Sequence, residues 1–326
     1  MAESAPGRAA GTSSSESAGR MPLQLAPGDI GVSHAALTDD TATLLDLDPW
    51  TVQHARLLLA GMSGTDRTAI DRVRDEIVAD IGSFAPRTPL PSSSDTVLLA
   101  AYLEAAPAVA EWMTRRGVAA GTVAATLGDV GRHLRLHRSH TGAFGLDAAW
   151  WLATVLSGTL FQLGRLQFQL RLLQPVEPQP PAATGPWLLD VHIPEAGPLT
   201  PHAIDDSFSR ATPFFARHFP KQPARTAICN SWLLDPYLTD HLDPTSNIVT
   251  FGRSFTPYAE PVDDDLDAVY FTFGVRSLDG LDRLPRQTSL QRLVLDRITG
   301  GGRWTRARGY RPLPGRGTVR RTATAR

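Results

Sequence analysis

The chain has 326 residues, 42% of them hydrophobic, a net charge of -1 and a single cysteine, Cys229. Near-neutral charge gives no global attraction to nucleic acid or to an anionic membrane, and one cysteine excludes an internal disulfide or a multi-cysteine metal cage. The first residues hold no apolar signal core, and no run approaches the roughly 18 apolar residues that span a bilayer. A cytoplasmic protein without nucleic-acid or membrane partners is therefore expected, with a disordered start over 1–34 and a basic disordered tail over 312–326.

From Ala42 to Phe161 the pattern is helical. Ile70, Val73, Ile77 and Ile81 form one stripe opposite Asp71, Arg74 and Asp75, and Val123, Leu127, Val130 and Leu134 form another. Asp95 opens a further helix in which Pro107 is a kink point, and Trp150 to Phe161, apolar almost all round, is expected to be a buried helix. His133, His137 and His140 have helical spacing, but arginines intervene and no carboxylate joins them in sequence, so a solvated basic face is preferred to a metal site.

Period two takes over in Arg165 to Leu172, RLQFQLRL, a strand with Leu166, Phe168, Leu170 and Leu172 on one face. The proline-rich stretch 174–186 is a loop, and a second strand runs from Trp187 to Ile193. Thr200 is placed to cap a helix whose stripe is Ile204, Phe208, Ala211, Phe215 and Phe219, and Arg225 to Leu234 is the parallel partner strand that such a crossover demands. The carboxyl ends of two parallel strands and the N-terminus of the crossover helix form a crevice suited to a phosphate-bearing ligand, provided the strands open past Ile193 and Leu234. Downstream, Asp235 and Pro236 start a short helix, 246–255 is open between strand and helix, and the aspartates at 263–267 make a turn before a strand from Leu266 to Gly274. Thr288 or Ser289 caps a helix to Ile298, and Arg303 to Tyr310 is a last strand. The expected class is α+β, an all-helical N-terminal domain followed by a mixed α/β sheet domain.

The strings HIPEAGPLTPHAIDDSFSRA, CNSWLLDPYL and SNIVTFGRSF resemble those of a bacterial acyltransferase family. In that family a helical N-acyltransferase N-terminal domain, here 35–162, precedes a GNAT-like C-terminal domain, here 163–311. The resemblance implies acyl transfer from acetyl-CoA or another acyl-CoA to a small amine acceptor by direct attack, without a metal. It places the pyrophosphate at the loop from Pro194 to Thr200 and the helix after it, with Glu195, Gly197, Thr200 and His202 as cofactor-binding candidates. The usual Q/R-x-x-G-x-G/A signature is missing there, where Gly197 is the lone glycine. That departure keeps open a second reading, a catalytically degenerate ligand- or protein-binding module.

Attack on a thioester needs a neutral amine, so a base must act near pH 7. His192 is the first candidate, against a hydrogen-bonded structural histidine; Glu195 is a second, against a surface carboxylate. Ser231 is placed to polarise the thioester or hold the acceptor, against a strand-end hydroxyl bonded to backbone. Tyr237 stands where the resemblance puts the acid for the departing thiolate, against a packed ring. Cys229 is read as a buried hydrophobe before a nucleophile.

Overall fold

The computed structural model describes residues 37–85, 94–181 and 185–314. The stretch expected as a disordered start lies outside the described residues, as does the basic end beyond 314. Among the described residues the chain opens with seven helices: α1 (Asp39–Leu44), α2 (Pro49–Ala60), α3 (Gly64–Ala79), α4 (Asp95–Arg115), α5 (Ala120–Leu127), α6 (Asp129–Thr141) and α7 (Ala149–Val155). Local chemistry fixes their starts. Asp48 caps α2 with Pro49 at its first position, Ser63 and Asp66 form a capping box on α3, and Ser94 caps α4. Ile70, Val73 and Ile77 of α3 are buried, and the polar side of that helix is used too: buried Arg74 and half-buried Arg67 both reach Glu104 of α4.

The sheet follows: β1 (Leu160–Leu163), β2 (Leu166–Leu172), β3 (Trp187–His192), α8 (Pro201–His218), β4 (Thr226–Ser231), α9 (Pro236–His241), α10 (Asn247–Arg253), β5 (Thr256–Pro257), β6 (Val262–Asp263), α11 (Asp265–Phe273), α12 (Ser289–Thr299) and β7 (Thr305–Pro312). The order across the sheet is β1-β2-β3-β4-β7-β5, with β6 also on β7, and the β3/β4 pair is parallel while the others are antiparallel. The architecture is the expected α+β arrangement.

α8 closes one face of this sheet. Its stripe Ile204, Phe208, Ala211, Phe215 and Phe219 is buried, with Phe208 edge-on to Phe168 of β2 and Phe215 edge-on to Phe161 of β1. Each large side chain so buried contributes roughly 1.5–3 kcal/mol, which makes this helix the principal cover of the central strands. One apolar cluster runs from the helices of the first half through the α8 side of the sheet. A second gathers Trp232, Leu238, Ala268, Val269, Val294, Leu295 and Trp304 around α9, α11 and α12. No helix among the described residues is long and apolar enough to cross a membrane.

Four local expectations are corrected. The stretch from Leu266 to Gly274 is the helix α11, not a strand: Asp264 caps it, Gly274 ends it in a left-handed turn, and its buried residues Asp265, Ala268 and Val269 have spacings of three and four, while Phe271 is 64% exposed. The alternating Val269, Phe271 and Phe273 looked like a strand face because exposed Phe271 fell between buried Val269 and half-buried Phe273 at a spacing of two. Likewise Trp150 to Phe161 is not one buried helix, since α7 stops at Val155, Trp150 is 71% exposed, and Phe161 belongs to β1, paired with Phe168. The second parallel strand ends at Ser231 instead of Leu234, because the Ser231 hydroxyl accepts the Leu233 N–H and starts a 3-10 turn over Trp232–Leu234. Finally, two of the three α6 histidines are not on a solvated face: His133 lies 3.7 Å from Asp129 and His137 bonds Asp147 at 2.8 Å, while His140 is exposed beside the Tyr270 ring.

Asp235 ties the second cluster to the sheet. Its buried carboxylate accepts the Tyr237 N–H at 2.8 Å, the Thr305 N–H at 2.7 Å and hydroxyl at 2.9 Å, and the Arg297 guanidinium at 3.0 Å. Removing one partner of such a buried pair leaves the other charge uncompensated, at a cost of about 3–5 kcal/mol. Asp235→Ala is therefore expected to lower unfolding free energy by that amount, read as a fall in the urea midpoint.

Candidate active site

The ladder between the parallel strands is short. β3 and β4 pair only at Leu189↔Ala227 and Asp190↔Ile228, yet β3 stays with β2 as far as Gln167↔His192 and β4 stays with β7 as far as Ser231↔Ala307. Past Asp190 and Ile228 each strand thus keeps its outer partner and leaves its inner neighbour. The fork opens earlier than the Ile193 and Leu234 ends at which the sequence places it. Beyond it Asn230 is exposed. Backbone N–H and C=O groups on the two inner edges lack each other as partners, an arrangement that accepts an extended, amide-bearing chain.

Strand alternation assigns the faces. Leu189, Val191, Ala227 and Cys229 belong to the cluster under α8, and Arg311 of β7 lies over the Phe208 ring on the same side. Asp190, His192, Ile228, Asn230, Arg308 and Tyr310 therefore occupy the opposite face. Two of the three catalytic candidates lie elsewhere. Ser231 has the parity of Cys229 and Ala227 and uses its hydroxyl as a cap, while Tyr237 is packed between His241 at 3.6 Å, Trp304 at 5.6 Å and the Arg297 guanidinium at 4.0 Å. Asn230, which stands across the fork on the His192 face, was missed in sequence; counting parity from a known parallel register would have found it.

His192 is half-buried at the end of β3. Its Nε2 is 3.4 Å from Gln169 Oε1, and the Trp151 ring meets its ring edge-on at 4.7 Å. The Trp151 indole N–H is donated at 2.8 Å to Asp129, a buried α6 carboxylate that also pairs with Arg132. Burial holds the imidazole below its ordinary 6.5, opposed by Asp190, reinforced by Arg171 and opposed by Asp129, so the ring is neutral at pH 7. With Gln169 Oε1 as an acceptor beside Nε2, the tautomer that uses this contact carries its proton on Nε2 and leaves the Nδ1 lone pair as the basic site.

The remaining face is polar. Arg171 pairs with Asp190 and with Glu177, both at 2.8 Å, Tyr258 meets Tyr310 at 6.0 Å, and the side chain of Arg308, opposite Asn230 in register, makes no hydrogen bond or ion pair with any described residue. Cys229, 1% exposed on the α8 face, has its thiol pushed well above the ordinary value by burial and by the Asp190 charge. It is protonated and inert.

The cofactor candidates come together at the loop from Pro194 to Thr200. Thr200 caps α8 by accepting the Ala203 N–H, Pro201 occupies the first helical position, and Glu195, Gly197 and His202 are exposed there. Gly197 has φ of 90°, a conformation open to glycine at no steric cost. The loop is braced by Arg165, which sequence reading left as a strand residue. From the β1–β2 turn it donates to Pro194 O at 2.7 Å and to Gly197 O at 2.9 Å, while its own N–H bonds Ser207 Oγ of α8 at 2.8 Å. Its partners are some thirty positions away, so no local pattern announces it. A separate open cleft of about 800 Å³, lined by Asp39, Leu47, Val52, Arg56 and Leu57, belongs to α1 and α2 and holds no residue of the fork.

Comparison with known proteins gives the family and the fold. The N-acyltransferase N-terminal domain family matches residues 36–158 and the GNAT-like C-terminal domain family matches residues 160–311. No curated protein matches the chain. Among solved structures, an acyltransferase variant in complex with octanoyl-CoA and an acyltransferase in complex with decanoyl-CoA each align with a TM-score of 0.73 at 30% identity, over 84% of this chain and 87% of theirs. An acyltransferase in complex with decanoyl-CoA and teicoplanin aligns over the same shares at 31% identity and the same TM-score of 0.73. The chain accordingly belongs to the acyltransferase family that joins a helical N-acyltransferase N-terminal domain to a GNAT-like C-terminal domain.

Proposed function

We propose that this acyl-CoA-dependent acyltransferase moves a medium-length acyl group from CoA to an amine of its acceptor by direct attack at the fork between β3 and β4. The fork carries the proposal: it is the place where two neighbouring strands leave an extended thioester arm room and backbone partners. The Arg165-braced loop and the start of α8 lie at the end of β3, where N–H donors suit the anionic part of CoA. Octanoyl and decanoyl chains are taken from the relatives, and teicoplanin is the first acceptor to try. The acceptor approaches the face bearing Asp190, Tyr258, Tyr310 and Arg308, since α8 covers the other. Asn230 on this face is exposed, which leaves the acceptor an approach at the β4 side of the fork.

His192 is the base. Its Nδ1 takes a proton from the acceptor ammonium, and Gln169 holds the ring by its Nε2–H. Support comes from its position beside the fork, its neutral ring at pH 7 and its place on the open face. Ser231 and Tyr237 are carried by no contact of this kind.

Octanoyl-CoA and decanoyl-CoA at millimolar concentration are expected to raise the melting temperature by binding the folded form, and decanoyl-CoA with teicoplanin to release thiol in a DTNB assay. Unchanged melting with both would exclude the CoA site, and binding without acceptor-dependent thiol release would favour a non-catalytic module.

His192→Ala should lower kcat by about 100-fold or more with acyl-CoA affinity retained. In the wild type the acid limb of kcat should lie below pH 6.5, because the buried ring resists protonation. Gln169→Glu sets a carboxylate against the ring, favours the imidazolium and should move that limb to higher pH. An unmoved limb would remove His192 from the step.

Cys229 should resist iodoacetamide in the folded protein and react after denaturation, leaving turnover intact. Loss of turnover through alkylation of the native fold would instead make it a nucleophile.

A further inference from the structure

The His192 face carries a second anomaly, on the side away from the acceptor. Gln167 of β2 pairs with His192 of β3, and Gln162 of β1 pairs with Gln167, so Gln162, Gln167 and His192 form one row across three strands. Gln167 is 0% exposed, and both its amide nitrogen and its amide oxygen lack a hydrogen-bond partner among the described residues. Gln162, 8% exposed, donates through Nε2 to Gly164 O at 2.7 Å, but its Oε1 has no partner either. A buried unpaired amide atom costs about 1–3 kcal/mol. Three in adjacent cross-strand positions are not retained by a fold that gains nothing from them.

We propose that Gln162 and Gln167 hold a buried water site that carries the proton collected by His192 outward to the Gly164 turn. The inference rests on the assignment of His192 as base. The stoichiometry requires an exit: the acceptor enters as an ammonium ion with three N–H protons. Its N–C bond forms, the C–S bond breaks, one proton stays on the amide nitrogen, one goes to the thiolate sulfur, and one leaves the site. With the acceptor seated on the open face, that proton has no direct path to bulk solvent. The Gln row offers one, because an amide both donates to and accepts from water, and the row ends at Gln162 on the outer strand, whose amide reaches the exposed Gly164 turn. The other groups facing His192 do not serve. Asp190 is engaged by Arg171 on β2, Asp129 of α6 is engaged by Arg132 and by the Trp151 indole, and the Trp151 ring of α7 closes that side.

Gln167→Leu keeps the side-chain size and removes the polar atoms. If water is bound, the variant loses satisfied hydrogen bonds and its melting temperature falls; a rise would mean that the amides are dry, and would overturn the site. For decanoyl transfer to teicoplanin, kcat should fall about tenfold, short of the roughly 100-fold or greater loss on removing the base itself. The half-saturating decanoyl-CoA concentration should stay unchanged, so that the loss falls on kcat alone. A kcat within twofold of wild type, or a loss matched by a rise in the half-saturating decanoyl-CoA concentration, would overturn the relay. Gln162→Leu, at the outer position, should give the same pattern in milder form and serves if Gln167→Leu does not fold. His192→Ala separates the two levels: if it retains full turnover, the base assignment and the relay both fall, whereas an inactive His192→Ala beside an unaffected Gln167→Leu sinks the relay alone.

Discussion

The geometry of this sheet depends on a mismatch of ladders. β3 is held by six residue pairs to β2, β4 by six to β7, and the two are held to each other by two. Each antiparallel ladder is the stronger tie, so the strands follow their outer neighbours and part. A central crevice would ordinarily be an expensive defect, since it strands backbone polar groups in the middle of a sheet. It persists because the pairs outside it and the apolar stripe of α8 beneath it fix the strands independently of what lies between them.

The two faces of that sheet have different duties. α8 makes one dry and closed, and there Cys229 is a small hydrophobe with a protonated thiol. The other carries the imidazole, two tyrosines and an engaged Arg–Asp–Glu group, and is reached by Trp151 and Asp129 from the helical half. The helical region is thus more than a lid. Its α6 and α7 supply the wall against His192, and burial by that wall is the first cause of the lowered imidazole pKa.

Buried charge is used sparingly and always tied. Asp129, Asp235 and Asp265 each sit at a junction between elements, and each is matched by an arginine and at least one N–H donor. Such pairs contribute little net stability against hydrophobic replacements, but they break expensively, which makes them fixers of geometry. Asp265 illustrates the point. It was expected in a turn, yet its carboxylate receives the Trp304 N–H at 2.6 Å and the Arg303 guanidinium at 2.8 Å, locking the start of α11 to the start of β7.

What the sequence determined by itself was everything carried by local periodicity and capping: the helical first half, the strand in RLQFQLRL, the α8 stripe, the Thr200 and Thr288 caps, and through its strings the family. Only the tertiary structure decided which side chains share a face at the fork. Ser231 and His192 both stand at strand ends, but strand parity puts Asn230 on the face of the imidazole, across the fork, and Ser231 on the α8 face, because a shift of one residue reverses every side chain. Arg165, Gln169 and the Gln162–Gln167 row were equally invisible, since their roles rest on pairings between strands. α11 escaped for the opposite reason: its apolar residues mimic alternation over a few positions, and it is the Asp264 cap and the burial of Ala268 and Val269 against α12 that settle it as a helix.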